Sequence, residues 1–311
     1  MTIAYISHPD CLLHDMGDGH PEQPARLRAI HARLEQSGLL ARLQQHAAPL
    51  ATDAQLRLAH PESYLRRLQA SSPATGSYPL DADTRMNPHS LAAARRAAGA
   101  AVLGVDLLLG GEASAAFCAV RPPGHHAERQ RAMGFCLFSS IAIAALYALE
   151  HRGLQRVAIV DFDVHHGNGT EDVVAGDERI LFCSTFQHPL YPYSGTGPAA
   201  PNVINLPLPA GCDGAQFRAV VREQCLPRLR AFAPELVLVS AGFDAHRADP
   251  LAGMALVAED FSWVTAQLAE QAALSAGGRV LSSLEGGYDL AALAESAQAH
   301  LEALLAADRS P

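Results

Sequence analysis

The sequence predicts an α/β protein, a parallel sheet with helices on both faces, and three observations carry that prediction. The apolar pattern switches repeatedly between helical and extended periods along the 311 residues. Several extended runs, VAIV at 157–160 and LVLVSA at 236–241 among them, are apolar throughout, as strands buried on both faces are. Four runs of this kind are followed at once by unusual polar residues, and in such folds ligands bind outside the carboxyl ends of the strands.

Taken in order, Leu27, Ile30, Leu34 and Leu39/Leu40 recur at helical spacing and predict a first helix over 21–43. The stretch 71–87 (SSPATGSYPLDADTRMN) is rich in turn formers and reads as a surface excursion. An Ala-rich helix follows over 90–109, then a strand over 115–120 and a helix over 137–149. Strands are predicted over 157–162, 180–184 and 203–206. Helices over 215–231, 257–276 and 290–306 then alternate with strands over 236–241 and 280–284. No composition shift, repeat or Gly/Ser linker divides the chain, so 1–311 reads as one domain.

Composition narrows the function classes. Hydrophobic residues make up 49% and charged residues 18%, which excludes a disordered chain. The net charge of −9 argues against nucleic acid or an anionic membrane as the main partner. Every basic residue counted is Arg, and there is no Lys. The 6 Cys are scattered without a CxxC pair, as expected of buried free thiols in a reducing compartment. The first residues, MTIAYISHPD, lack the pattern of a signal peptide, and no apolar run reaches the roughly 18–20 residues that span a bilayer. A cytoplasmic location is the expectation.

The chemistry-bearing residues sit where the strands end. Strand 115–120 runs into Arg121-Pro122-Pro123-Gly124-His125-His126, and strand 157–162 into Asp161-Phe162-Asp163-Val164-His165-His166-Gly167-Asn168. Strand 236–241 leads to Gly242-Phe243-Asp244, and strand 280–284 to Glu285-Gly286-Gly287-Tyr288. At a period of two, Asp161, Asp163 and His165 would share one side of an extended segment. Asp163 and His165 are suitable zinc ligands, and Asp244 from a neighbouring strand end completes a set of three with an open position. Alone, the pattern also suits a solvated acidic turn, but a buried strand leading into it would leave costly unpaired carboxylates. The paired His125 and His126 supply a general base near neutral pH, and the Tyr288 phenol a donor to a developing oxyanion.

With these motifs assembled, the chain resembles the histone deacetylase family, in particular its class II branch and the bacterial histone-deacetylase-like amidohydrolases. The matching segments are His20-Pro21-Glu22, RPPGHHA, GFC, DFDVHHGNGT, SAGFDAHRADPL and EGGY, in the family's order over nearly the whole length. The resemblance implies the arginase/deacetylase fold, a single catalytic domain around a parallel sheet of about eight strands. It implies a metal-dependent amidohydrolase acting on acetyl-lysine or a related acyl-lysine in peptides or proteins. It also implies zinc, for which iron is an acceptable substitute in an Asp/His site, and a structural potassium ion.

By position, the resemblance makes Asp163, His165 and Asp244 the metal ligands, and His125, His126 and Tyr288 the catalytic residues. Asp161 backs His125, and Asn168 stands behind His126, where its neutral amide holds the ring without favouring its cation. That makes His126 the general base. Gly134, Phe135 and Tyr191 match the acyl-lysine tunnel, Arg26 an internal cavity, and Asp83 a contact to the substrate backbone. Potassium would be held by Asp161, Asp163, His165, Ser184 and Thr185. In acetylpolyamine-specific relatives a Glu follows the Asp-Pro of the SAGFD segment; here Leu251 follows Asp249-Pro250. Leucine offers a polyamine no countercharge, which favours acyl-lysine over the alternative, a small acyl amide.

Overall fold

Strands form along the described residues, the central ones where short apolar runs are covered on both faces. In chain order they are β1 (Ile3–Ser7), β2 (Gln44–Ala47), β3 (Tyr78–Pro79), β4 (Arg85–Met86), β5 (Ala115–Cys118), β6 (Val157–Asp161), β7 (Ile180–Gln187), β8 (Val203–Leu208), β9 (Leu236–Ala241) and β10 (Val280–Leu284). β3 and β4 make a two-stranded ribbon within the excursion at 71–87, and the other eight form one sheet. Its order is β2-β1-β5-β10-β9-β6-β7-β8, with every neighbouring pair parallel. The computed structural model describes residues 2–307.

The order explains the site. The four strands that lead into the polar motifs, β5, β10, β9 and β6, are contiguous in the middle of the sheet. Parallel pairing puts all their carboxyl ends on one edge, so motifs far apart in the chain meet there.

Helices cover the sheet: α1 (Ala25–Gln36), α2 (Asp53–Leu56), α3 (Glu62–Ser71), α4 (Ser90–Leu109), α5 (Ser140–Arg152), α6 (Asn168–Val174), α7 (Gly214–Val220), α8 (Leu226–Phe232), α9 (Ala258–Ser275) and α10 (Leu290–Ala307). α1, α10, α9 and α8 pack one against the next, while α4 packs on α5. All six cysteines are buried and free. No helix among the described residues is long and apolar enough to cross a membrane.

Several elements depart from the sequence pattern for identifiable reasons. The helix expected over 21–43 ends at Gln36, and the chain passes through a 3₁₀ turn at Leu40–Arg42 into β2. β2 (QQHA) is an edge strand that is largely exposed, so it shows no apolar signature. β1 was also unforeseen, as was α3, which buries only Tyr64, Leu65 and Leu68. The single helix expected over 215–231 is interrupted by a π turn at Val221–Cys225. Pro227 lies at the start of α8, has no N–H to give the preceding turn, and so breaks the regular ladder.

The core holds one group with a clear pH consequence. His300, fully buried among the rings of Phe117, Phe162 and Phe243, bonds Thr265 Oγ1 through Nδ1 (2.6 Å) and Ser282 Oγ through Nε2 (2.9 Å). Thr265 gives its own proton to the Phe261 carbonyl, so Nδ1 carries the hydrogen and Nε2 accepts from Ser282. Burial pushes the His300 pKa from 6.5 down to about 3. The unfolded chain therefore binds a proton that the folded state refuses, and stability is lost as pH falls below 6.5. About 2 kcal/mol is expected to go between pH 6.5 and 5 from this residue alone. Urea midpoints measured over that range should fall less steeply in His300→Gln than in the parent.

Candidate active site and metal centre

β6 stops at Asp161 and the chain bends through 162–167, so the period-two alignment of Asp161, Asp163 and His165 is not kept. The carboxylates themselves cause the bend. Asp161 Oδ1 accepts from the Asp163 amide (3.1 Å), and Asp163 Oδ1 from the His165 amide (2.8 Å). Side-chain acceptors thus replace the sheet ladder. Asp161 turns toward His125, while Asp163 and His165 meet Asp244 from the end of β9.

His165 Nδ1 lies 3.1 Å from Asp163 Oδ1 and 3.1 Å from Asp244 Oδ2. One ligand atom from each of the three lies within 4.8 Å of the others, and all three residues are buried. Two buried carboxylates around one imidazole are costly without a compensating cation. The donor set and the burial fit a divalent ion such as zinc or iron. Gly286 allows this closeness: a Cβ there would stand 1.9 Å from Asp244 Oδ2, and its N–H donates to Asp163 Oδ2 at 2.8 Å.

The two histidines differ in what stands behind them. His125 Nδ1 is 3.0 Å from Asp161 Oδ2, and His126 Nδ1 is 2.7 Å from Asn168 Oδ1. Burial lowers the His125 pKa, but the carboxylates of Asp163 and Asp161 outweigh it and hold the ring well above the usual value. Burial, then His125 and His165, push His126 well below it. Asn168 gives its amide hydrogen to Glu128 Oε1 (2.8 Å), so its carbonyl oxygen faces His126 and takes the Nδ1 proton. The lone pair of His126 is therefore on Nε2.

Beside them lies Gly134, at φ +54°, with the space of its missing side chain filled by the His126 ring. A Cβ there would come within 2.3 Å of His126 Cδ2. Gly134→Ala is expected to displace that ring and lower kcat on the order of 10²-fold, and to lower the thermal unfolding midpoint as well, because a side chain at this positive φ is strained.

Phe135 is half-buried and meets Tyr288 edge-on, with ring centroids 5.9 Å apart. Tyr191 packs edge-on against His126 (5.2 Å) and His165 (6.3 Å). The backbone of Asp83 accepts from His20 Nε2 at 3.2 Å, and its neighbour Thr84 accepts from the Phe135 amide at 3.0 Å. Leu251 is half-buried and gives its amide to Asp249 Oδ1. Arg26 lies over the Tyr288 ring at 4.8 Å and donates to the carbonyls of Gly287 (2.7 Å) and Glu285 (2.5 Å). Burial raises the Tyr288 pKa; Arg26 opposes this, and Asp244 and Asp163 add to it, which keeps the phenol protonated. Ser184 Oγ is buried with no hydrogen-bond partner among the described residues, and Thr185 Oγ1 lies 3.4 Å from the Asp161 carbonyl.

Four supporting groups escaped the sequence reading. Glu128 orients Asn168, and Asp249 Oδ2 accepts from the Tyr288 amide at 2.6 Å. Glu285 Oε2 accepts from the amides of Gly124 (2.6 Å) and His125 (3.1 Å), tying the histidine loop to the end of β10. Beneath these, fully buried Glu22 is paired with Arg121, which also donates to the carbonyls of Cys11 and His14. All except Glu128 lie inside motifs already singled out, and that membership was the available signal.

Comparison with known proteins places the whole chain in one family. Residues 20–304 match the family model for the histone deacetylase domain. The chain is 41% identical to the histone deacetylase-like amidohydrolase of Pseudomonas aeruginosa over 87% of its own length and 73% of that protein. It is 33% identical to a probable deacetylase of Archaeoglobus fulgidus, covering 93% of this chain and 82% of the other. Among solved structures, the HDA15 HD domain superposes with a TM-score of 0.93 at 34% identity, covering 98% of this chain and 89% of that one. With the fold, the strand-end motifs and these relatives in accord, the chain belongs to the histone deacetylase family, whose members include deacetylases and amidohydrolases.

Proposed function

We propose that the protein is a metal-dependent deacetylase that hydrolyses acyl-lysine amides in peptides or proteins. The observation that carries this reading is the buried Asp163, His165 and Asp244 cluster with two differently supported histidines beside it. Asp163, His165 and Asp244 would hold zinc or iron. When bound, such an ion supplies Lewis acidity and makes water nucleophilic near neutral pH. His126 Nε2 takes the proton of the attacking water, because Nδ1 is already committed to Asn168. The Tyr288 hydroxyl donates to the carbonyl oxygen as it becomes an oxyanion. A protonated histidine of the pair then delivers the proton to the leaving lysine nitrogen, giving the free amine and a carboxylate.

Gly134, Phe135 and Tyr191 supply the walls for an extended acyl-lysine chain, with Asp83 and Leu251 as further substrate contacts. The unpartnered Ser184 hydroxyl fits a monovalent cation, and with Asp161, Asp163, His165 and Thr185 would hold potassium as a structural ion. The reading is tested by kcat/KM for the metal-loaded protein on an acetyl-lysine peptide and on acetylputrescine. A preference for the peptide is expected, and a preference for acetylputrescine would assign the protein to small acyl amides instead.

A further inference from the structure

The loop after β7 brings Tyr191 to the histidines, and its anchor lies behind the site. The Tyr193 amide donates to the Leu190 carbonyl (2.8 Å), closing a turn in which Tyr193 has φ +61° and stands 74% exposed. The next residue, Ser194, gives its hydroxyl to His166 Nδ1 at 2.8 Å. His166 is buried, and its ring packs on Phe186 with centroids 4.7 Å apart. On its far side, Nε2 lies 2.8 Å from Glu171 Oε2 and 3.2 Å from Asn205 Oδ1. Asn205 Nδ2 closes the set by donating to Glu171 Oε2 at 2.9 Å. One continuous chain of hydrogen bonds thus runs from the loop to α6 and β8.

In the reading above, the mechanism uses His165 but gives His166, Ser194 and Glu171 no part. Holding a tyrosine outward at positive φ, beside the ring that packs on both His126 and His165, is strained unless the surroundings fix it. The surroundings here are also acidic. Thr84 Oγ1, which accepts from the Phe135 amide (3.0 Å), donates to Asp83 Oδ1 (3.1 Å), and Asp81 Oδ1 accepts from the Thr84 amide (2.7 Å), so both carboxylates stand beside Phe135 at the same mouth. Burial and these charges raise the Tyr191 pKa, and Arg131 opposes them.

We infer that His166 is a positioning residue that staples the 190–195 loop through Ser194, and that Tyr193 is thereby a specificity-determining residue. The Tyr193 ring meets the residue flanking the acylated lysine and favours a basic one, by a cation over its face with Asp81 and Asp83 nearby. This rests on the acyl-lysine reading.

The experiment uses the metal-loaded full chain, the parent and three variants, Tyr193→Ala, Ser194→Ala and Ser194→Thr. Two acetyl-lysine peptides are compared, one with arginine and one with alanine flanking the acetylated residue, and backbone hydrogen exchange is followed in parallel. The parent should favour the arginine peptide by about two- to fivefold in kcat/KM. Tyr193→Ala and Ser194→Ala should each erase that preference through KM, with kcat within twofold, and Ser194→Thr should restore it. Ser194→Ala should also speed exchange in 190–195 while leaving 157–168 protected. Unchanged exchange in Ser194→Ala overturns the staple, and a preference that survives Tyr193→Ala overturns the specificity role. If the parent cleaves neither peptide, the acyl-lysine reading fails and the specificity role with it, while the exchange data still decide the staple.

Discussion

Tyr288→Phe is expected to lower kcat by about 10²–10³-fold while leaving KM and metal content close to those of the parent. The hydroxyl is the only part of the residue lost. The ring still packs against Phe135 and under Arg26, and its backbone amide still donates to Asp249. The loop therefore keeps its position, and the missing interaction is one formed only as charge develops on the carbonyl oxygen. Such a loss appears in kcat and kcat/KM alike. Turnover within a few-fold of the parent would remove Tyr288 from the reaction.

His126→Ala is expected to cost about 10²–10⁴-fold in kcat/KM, the usual contribution of a positioned general base. The geometry distinguishes it from His125. Behind His125 stands the Asp161 carboxylate, with Asp163 Oδ2 a further 3.7 Å from its Nε2, and both favour its cation. Behind His126 stands the Asn168 carbonyl, which orients the ring without charging it. If His125→Ala proves the more damaging in a plot of rate against pH, and His126→Ala leaves the acidic limb in place, the roles are reversed.

The fold was readable in most strands where burial forces an apolar run on both faces, though β1 (IAYIS), just as buried, was not placed. β6 and β9 could be placed from their residues alone, and the polar motifs that follow them marked one edge of the sheet. β2 was invisible because an exposed edge strand of Gln and His has no such pattern. α3 did carry a signal, since Tyr64, Leu65 and Leu68 share one face at helical spacing. In the site, residue type and strand-end position brought together Asp163, His165, Asp244, His125, His126 and Tyr288. The bend after Asp161 was not foreseen, because it depends on carboxylates capping backbone amides rather than on alternation. Glu128, Asp249 and Glu285 were missed for a similar reason: each acts on a backbone amide or on another side chain's amide, and no spacing rule encodes that.

Asp163, His165 and Asp244 together are expected to hold a single divalent ion. Elemental analysis of the purified protein after reloading with zinc, beside Asp244→Ala treated in the same way, shows whether they do. One equivalent per chain in the parent and almost none in the variant is the predicted result. Full occupancy in Asp244→Ala, or two equivalents in the parent, would contradict it.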